Sequence, residues 1–476
     1  MKSLLIILFS LLVSLTLSAQ EITGKWYGVL KVQGIQLSLA FNVEKTDTGL
    51  VSTMDSPDQN AFGIPVTNTV FDNSKISFEV KNAAILYQGE LVGNEVKGVF
   101  KQAGQEFPLN LSRKEIEKEI LKRPQEPKEP FSYFSEEVNF ENSKANISLA
   151  GTLTLPKNEG NYPIVILISG SGPQDRNEEI LGHKPFLVIA DYLTKNGIGV
   201  LRFDDRGVGK STGNYAIATS EDLSTDVESA ISYIKSRGDI NKSSIGLIGH
   251  SEGGLIAPMV AAKTADVNFI VSLAGPGIRG DKLLLLQQEL ISRVSGGTEE
   301  TIIKSHDLNK KIFDLIIKSK DEESVKEELI PLMTALLQVD PNFASLDEDI
   351  KKEAITQHIL QYTSPWMRYF ISYDPAPTLE KVTCPVLALN GAKDMQVPAK
   401  ENLNAIKSAL EKGGNKNVYI KEFAEVNHLF QKCSSGSPAE YATIEETIAP
   451  LVLEEITNWI TTQRLKSAIS ASKTKN

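Results

Sequence analysis

Cysteine and histidine are scarce in this 476-residue chain, with two of the first, Cys384 and Cys433, and five of the second. Two cysteines permit one disulfide without demanding it. Cys384 begins a predicted strand and Cys433 follows a histidine loop, so a bridge between them stays open. With no paired histidine cluster they give no zinc signature, and no metal is expected. Basic residues are in deficit, 50 Lys and Arg against 60 Asp and Glu, for a formal net charge of −10. No basic stripe is available to displace phosphate counterions, which argues against nucleic acid as a partner. Long apolar runs are also missing. The run Leu4 to Leu17 is about 14 residues, short of the roughly 20 that span a bilayer. Met1-Lys2 before it and Ser18-Ala19-Gln20 after it give residues 1–20 the form of a secretory signal peptide. That predicts an exported chain, periplasmic or extracellular, with no stable membrane insertion once the leader is removed.

At 41% apolar and 23% charged residues the remainder is ordinary globular protein, long enough for two or three domains. Residues 21–112 alternate in β fashion through WYGVLKV, IQLSLAFNV, KISFEV, AILYQGEL and EVKGVF, with turn signals between them. A small antiparallel barrel or sandwich is expected. It holds neither histidine nor cysteine, so an accessory role suits it better than catalysis. Residues 113–130, RKEIEKEILKRPQEPKEP, open like a charged helix and dissolve into prolines, a linker.

From residue 131 strands alternate with amphipathic helices, the pattern of an α/β fold with a mostly parallel sheet covered on both faces. Strands are predicted at VNF, ISLAGTLTL, IVILI, GVLRF, IGLIG, NFIVSLA, PVLALN and NVYIKEF, and helices starting near Lys184, Glu221, Gly253, Ala399 and Ala439. The alternation breaks over 276–375, where only helical sequence occurs; Thr298 and Asp321 read as helix starts. The expected organisation is a catalytic domain of 131–275 and 376–465, a helical lid of 276–375 and a flexible tail of 466–476.

In IGLIGHSEGGLIAPMVAA, residues 245–262, an apolar strand breaks into Gly249-His250-Ser251-Glu252-Gly253 and a small-residue helix follows. This is the form of a nucleophile elbow, where glycines two residues either side let strand and helix pass close together. The pattern alone is weak, since about 0.16 accidental matches are expected at roughly 7% usage of each residue. A second match, Gly209-Lys210-Ser211-Thr212-Gly213, follows DDRGV out on a loop. Its GKS imitates a phosphate-binding loop, but Asp204 stands where that loop needs a glycine. Asp204, Asp205 and Arg206 read as an ion pair bracing the sheet end.

A serine hydroxyl needs a base within reach and a third group to orient that base. Asp394 lies four residues beyond the strand end at Asn390, and His428 lies on a loop after the last strand. His183, His250, His306 and His358 precede the acid, in helical or elbow positions. As the variable positions of the elbow, His250 and Glu252 support its geometry. The Glu252 amide, at a helix N-terminus, is one candidate oxyanion donor. The second is the amide of Ser171, or of Gly172, in the small-residue loop SGSGPQDRN.

With SGSGPQDRN, DDRGVGKSTG, GHSEGG, NGAKDMQVP and NHLF in succession, residues 131–465 resemble the α/β-hydrolase superfamily, and within it exported bacterial serine carboxylesterases. Serine aminopeptidases and dienelactone hydrolases are related branches. The resemblance implies Ser251 as nucleophile, Asp394 as acid and His428 as base, acting on a small-molecule ester without a cofactor. A peptidase acting on short peptides is the alternative, and acidic residues on the lid would favour it. A non-catalytic binder using the β domain is a further one.

Overall fold

The computed structural model describes residues 22–473 apart from 33–34, 60, 84, 103–104, 118–121, 158–159, 161, 239–243, 320, 345 and 347. The predicted leader, 1–20, lies outside the described residues, as does the last part of the predicted tail. The chain divides into two compact units, Met1–Val32 with Gln36–Lys118, and a second that includes Glu119–Asn476.

The first unit is all β: β1 (Gly24–Val32), β2 (Ile35–Thr46), β3 (Gly49–Ser56), β4 (Ala61–Pro65), β5 (Asn68–Asp72), β6 (Lys75–Val80), β7 (Ile85–Val92), β8 (Glu95–Gln102), β9 (Gln105–Pro108) and β10 (Leu111–Ser112). The sheet runs β4-β3-β2-β1-β10-β8-β7-β6-β5, with β9 beside β8. Its terminal strands β4 and β5 are consecutive in sequence, joined by Val66-Thr67. The Val66 amide donates to Ser52 on β3 and the Thr67 amide to Glu79 on β6, so the sheet curls into a nearly closed barrel. Inward positions of alternating strands fill it. Phe41 stacks on Phe78 at 4.5 Å, and the buried Tyr87 hydroxyl donates to the Leu109 carbonyl. Strands β3 and β5 carry Ser, Thr, Asp and Asn at many positions, and β4 is only five residues long with Gly63 and Pro65 in it, which hid all three in the sequence.

The second unit is built on eight strands: β11 (Phe134–Asn142), β12 (Ile147–Leu155), β13 (Ile164–Ile168), β14 (Gly199–Phe203), β15 (Ile245–His250), β16 (Phe269–Leu273), β17 (Val386–Gly391) and β18 (Val418–Phe423). Their order is β11-β12-β14-β13-β15-β16-β17-β18, antiparallel at β11, β12 and β14 and parallel thereafter. Every residue of β13 to β17 is buried. That is why these strands read as unbroken apolar runs rather than alternations. Helices α1 (Pro185–Lys195), α2 (Ser220–Ser236) and α3 (Glu252–Ala261) fall between the strands up to β16. The lid follows β16 as α4 (Gly280–Val294), α5 (Glu299–Lys318), α6 (Glu322–Leu337), α7 (Pro341–Ala344), α8 (Glu348–Tyr362), α9 (Pro365–Ser372) and α10 (Ala376–Leu379). Thr298 and Asp321 cap α5 and α6 by accepting the amides of Thr301 and Glu323. Helix α11 (Ala399–Lys412) precedes β18 and α12 (Pro450–Lys473) ends the chain. Alternate residues of β13 feed two separate cores. Ile164, Ile166 and Ile168 pack toward α2, α3 and α11, and Val165 and Leu167 toward α1 and α12. Each such buried side chain contributes about 1.5–3 kcal/mol.

Several expectations need correction. Residues 113–117 form no helical turn, and the end of the expected linker is tied down within the second unit. Arg123 donates to the carbonyls of Leu181, Gly182, Ala442 and Ile444, and the Gln125 side chain bonds Thr447 and Ile448. The helix expected near Ala439 is a short 3-10 turn, Pro438–Thr443, with the helix proper beginning at Pro450. That helix continues to Lys473, through most of the span expected to be a flexible tail. Cys384 and Cys433 are both free thiols. Among the described residues no helix is long and apolar enough to cross a membrane.

Candidate active site

The turn at Ser251 is set by local sterics. β15 ends at His250, α3 begins at Glu252, and Ser251 between them takes φ 51° and ψ −120°. A residue with a Cβ pays about 1–2 kcal/mol for a left-handed backbone. The flanking glycines keep ordinary angles and serve packing instead. A Cβ on Gly249 would lie 2.0 Å from the Gly253 carbonyl oxygen, and one on Gly253 would lie 2.1 Å from that of Ile168. The Ser251 amide donates to the Leu273 carbonyl on β16 at 2.8 Å. Its hydroxyl makes no hydrogen bond among the described residues.

Asp394 and His428 stand on the loops after β17 and β18, and His428 Nδ1 meets Asp394 Oδ2 at 2.8 Å. The other carboxylate oxygen, Oδ1, accepts the amides of Gln396 and Val397, both at 2.8 Å. With that oxygen occupied, Oδ2 serves the imidazole, which fixes the hydrogen on Nδ1 and leaves Nε2 as the basic nitrogen. Both side chains are buried. Ser251 and His428 line the same pocket of about 220 Å³.

The loop after β13 is clamped residue by residue. Ser169 Oγ donates to Asp205 Oδ1, the Gly170 amide to Glu178 Oε1, the Gly172 amide to the Tyr215 hydroxyl and the Gln174 amide to Asp205 Oδ2. Position 173 is proline, with no amide hydrogen. From Gly170 to Gln174 the Ser171 amide is the one left unbonded among the described residues, whereas the Gly172 amide is engaged by Tyr215, which favours Ser171 of the two. The Glu252 amide is likewise unbonded. Asp205, shut away from water, is pushed up to about 8 by burial, against the hydrogen bonds from Gln174 and Ser169.

Four further side chains shape the site, and of these only Glu252, as part of the elbow, stood out in the sequence. Glu252 is buried and accepts from Ser220 Oγ at 2.5 Å and from the indole of Trp366 on lid helix α9 at 2.9 Å. Ser171 also bonds it, and burial holds its carboxyl above the usual range. Glu178 bonds both Gly170 and His250. Tyr215 holds Gly172, and burial raises its phenol. The bonds Tyr215–Gly172, Glu178–His250 and Trp366–Glu252 link residues 43, 72 and 114 positions apart, so no spacing rule exposes them. The lid lines the pocket with Leu283, Leu284, Gln287, Trp366 and Phe370, none of them acidic. Among the described residues no cluster of His, Cys, Asp or Glu forms a metal-binding set.

The remaining candidates are structural. Ser211 is buried rather than out on its loop. Its hydroxyl donates to the Asp204 carbonyl at 2.7 Å and accepts the Ala150 amide at 2.9 Å. Asp204, Asp205 and Arg206 do not pair with one another. Asp204 binds Arg176, Arg206 binds Asp226, and Asp205 holds the loop after β13. His183 lies in a β-bridge before α1, not in a helix, bonded to Thr447 and the Tyr441 carbonyl. Desolvation lowers it to about 4.

Residues 184–328 match a family model described as serine aminopeptidase, S33. The chain is similar to esterase EstD of Thermotoga maritima, 26% identical over 321 residues, covering 66% of this chain and 65% of that protein. It thus spans a little under two thirds of the length of that curated relative. An uncharacterised protein of Salmonella typhi, YfhR, is 35% identical over 66 residues, 14% of this chain and 22% of its own. A solved esterase of Pyrococcus furiosus aligns over 70% of this chain and 92% of its own, at 16% identity and a TM-score of 0.43.

Proposed function

We propose that this chain is a member of the α/β-hydrolase superfamily, as its sheet order and its likeness to an esterase support, and a serine hydrolase cleaving carboxylic esters through an acyl-enzyme. The observation that carries the proposal is the meeting, in one pocket, of a serine on a strained strand-to-helix turn with an imidazole oriented by a buried carboxylate. In this reading Ser251 Oγ attacks the ester carbonyl while His428 Nε2 takes its proton. The imidazolium that forms is stabilised through Nδ1–H to Asp394 Oδ2. The amides of Glu252 and Ser171 receive the negative oxygen of the tetrahedral intermediate, each worth about 3 kcal/mol. Collapse expels the alcohol, which takes the proton from His428 Nε2. Water, deprotonated by the same nitrogen, then releases the acid and regenerates Ser251.

The esterase reading is preferred to the peptidase one because the lid side of the pocket is apolar or neutral. A site for a peptide amino terminus calls for carboxylates there. Comparing short-chain aryl esters with aminoacyl amides decides between them. Faster ester turnover, lost in Ser251→Ala together with labelling by a fluorophosphonate, supports the proposal; amide turnover far above ester turnover overturns it. Export is part of the same proposal, and the amino terminus of the protein recovered outside the cytoplasm, expected near Gln20, tests it.

A further inference from the structure

Resting on the serine-hydrolase reading, the structure assigns a positioning role to a second carboxylate–imidazole pair, Glu178–His250. This pair joins the oxyanion loop, the elbow and the base loop in one hydrogen-bonded series. The Gly170 amide donates to Glu178 Oε1 at 2.6 Å, the same oxygen meets His250 Nδ1 at 2.9 Å, and His250 Nε2 meets the main-chain oxygen of His428 at 3.0 Å. The residue before the proposed oxyanion donor, the residue before the nucleophile and the base itself are thereby held at fixed separations. All the side chains involved are buried, Glu178 to 3% exposure and His250 to 7%.

The protons follow from the partners. A carbonyl oxygen only accepts, so His250 Nε2 carries a hydrogen. Nδ1 faces a carboxylate oxygen, so a further proton lies in that contact. Burial works against charge on the His250 ring, but the charge and hydrogen bond of Glu178 outweigh it and raise the imidazole. The titratable groups acting on His250 are Glu178, from the loop after β13, with Asp394 and His428 from the loops after β17 and β18. The pair is thus an imidazolium–carboxylate with charge-assisted bonds, stiffer than neutral ones.

Stability alone is a poor reason for such a pair, because buried ion pairs are commonly no better than apolar replacements. The backbone points the same way. Glu178 sits at φ 52°, a left-handed angle that disfavours a side chain. Its amide is held by the Asp175 carbonyl at 2.9 Å. Catalysis supplies the reason, since a displacement of about 1 Å between reacting groups costs about a hundredfold in rate.

The test compares two replacements of equal length at one position in the full chain. In Glu178→Gln the amide oxygen, in the place of Oε1, still accepts from Gly170 and from a protonated His250 Nδ1 without the negative charge; in Glu178→Met neither bond forms. Rates are taken per Ser251 titrated by a fluorophosphonate, so any misfolded fraction drops out. The expected result is kcat within about threefold of wild type for Gln. For Met and for His250→Phe it is a fall of about ten- to a hundredfold, with KM little changed. The double variant Glu178→Met/His250→Phe should lose no more than the worse single, because one series is broken in both. Equal kcat for Gln and Met, losses that multiply in the double variant, or an effect confined to KM overturns the assignment. The labelling rate of Ser251 separates this outcome from failure of the ester reading. Labelling without ester turnover sinks the substrate class and still reports the series, whereas equal turnover in Gln and Met sinks the series alone.

Discussion

Ser211 and Ser251 each stand at the centre of a Gly-x-Ser-x-Gly run, forty residues apart, and the two runs distribute backbone strain in opposite ways. Around Ser211 the glycines take the left-handed angles, Gly209 at φ 54° and Gly213 at φ 106°, and the serine does not. Around Ser251 the serine takes φ 51° while Gly249 and Gly253 stay ordinary and admit main chain at close range. The hydroxyls differ in the same sense. Ser211 Oγ uses its hydrogen on Asp204 and accepts from Ala150, whereas Ser251 Oγ is unbonded in a pocket with His428. A hydroxyl already engaged by main chain is a clamp, and one held free on a strained turn in a pocket with an imidazole suits the nucleophile's part in the proposed mechanism.

The largest expected effect that would sharpen this contrast is Ser251→Ala, which should lower kcat on a short aryl ester by about 10⁴-fold or more while leaving the melting temperature unchanged or higher. Next come the glycines. Gly249→Ala and Gly253→Ala drive a methyl into carbonyl oxygens and should cost about 2–3 kcal/mol and at least tenfold in kcat. Gly209→Ala should cost about 1–2 kcal/mol, through backbone angle and the nearby Asp204 carboxylate, with kcat within about twofold. A Gly209 variant as inactive as the Gly249 one would break the comparison.

A third prediction concerns Asp205, neighbour of the carbonyl that binds Ser211 and anchor of the loop that carries Ser171. Burial pushes its carboxyl up to about 8 in the folded chain from an ordinary 3.8. Between those values the folded state binds the extra proton, so this group's contribution to stability is full below about pH 4 and is lost as pH rises to about 8. Asp205→Asn does not titrate. Its melting temperature relative to wild type should therefore climb steadily from pH 4 to pH 8 and level off above; a constant difference would show that Asp205 is already ionised when folded. The smallest effect is expected for Ser211→Ala, a loss of about 1–2 kcal/mol with kcat/KM within about twofold.

Much of the second unit was legible because its strands are buried on both faces and its helix starts carry Thr298 and Asp321 as caps. The order Ser251, Asp394, His428 was legible for the same reason, each lying just past a strand that could be recognised. Strands β3 to β5 were not, since β3 and β5 are largely polar on the outer face of a small curled sheet and β4 is short and broken by Gly63 and Pro65. Glu178, Tyr215 and Trp366 were hidden too. Nothing local marks Trp366 as the donor to Glu252, and that pairing exists only once α9 is laid over the elbow.

The glycines and small residues of 249–253 by themselves determined a tight strand-to-helix turn, because steric exclusion acts between atoms a few bonds apart. Only the tertiary structure decided which of two such serines keeps a free hydroxyl. It also decided that Ser171 rather than Gly172 keeps a free amide, with Gly170, Gly172 and Gln174 already bonded to Glu178, Tyr215 and Asp205. Hydrogen bonds saturate, and which donor remains unspent depends on what distant parts of the chain the fold brings against it.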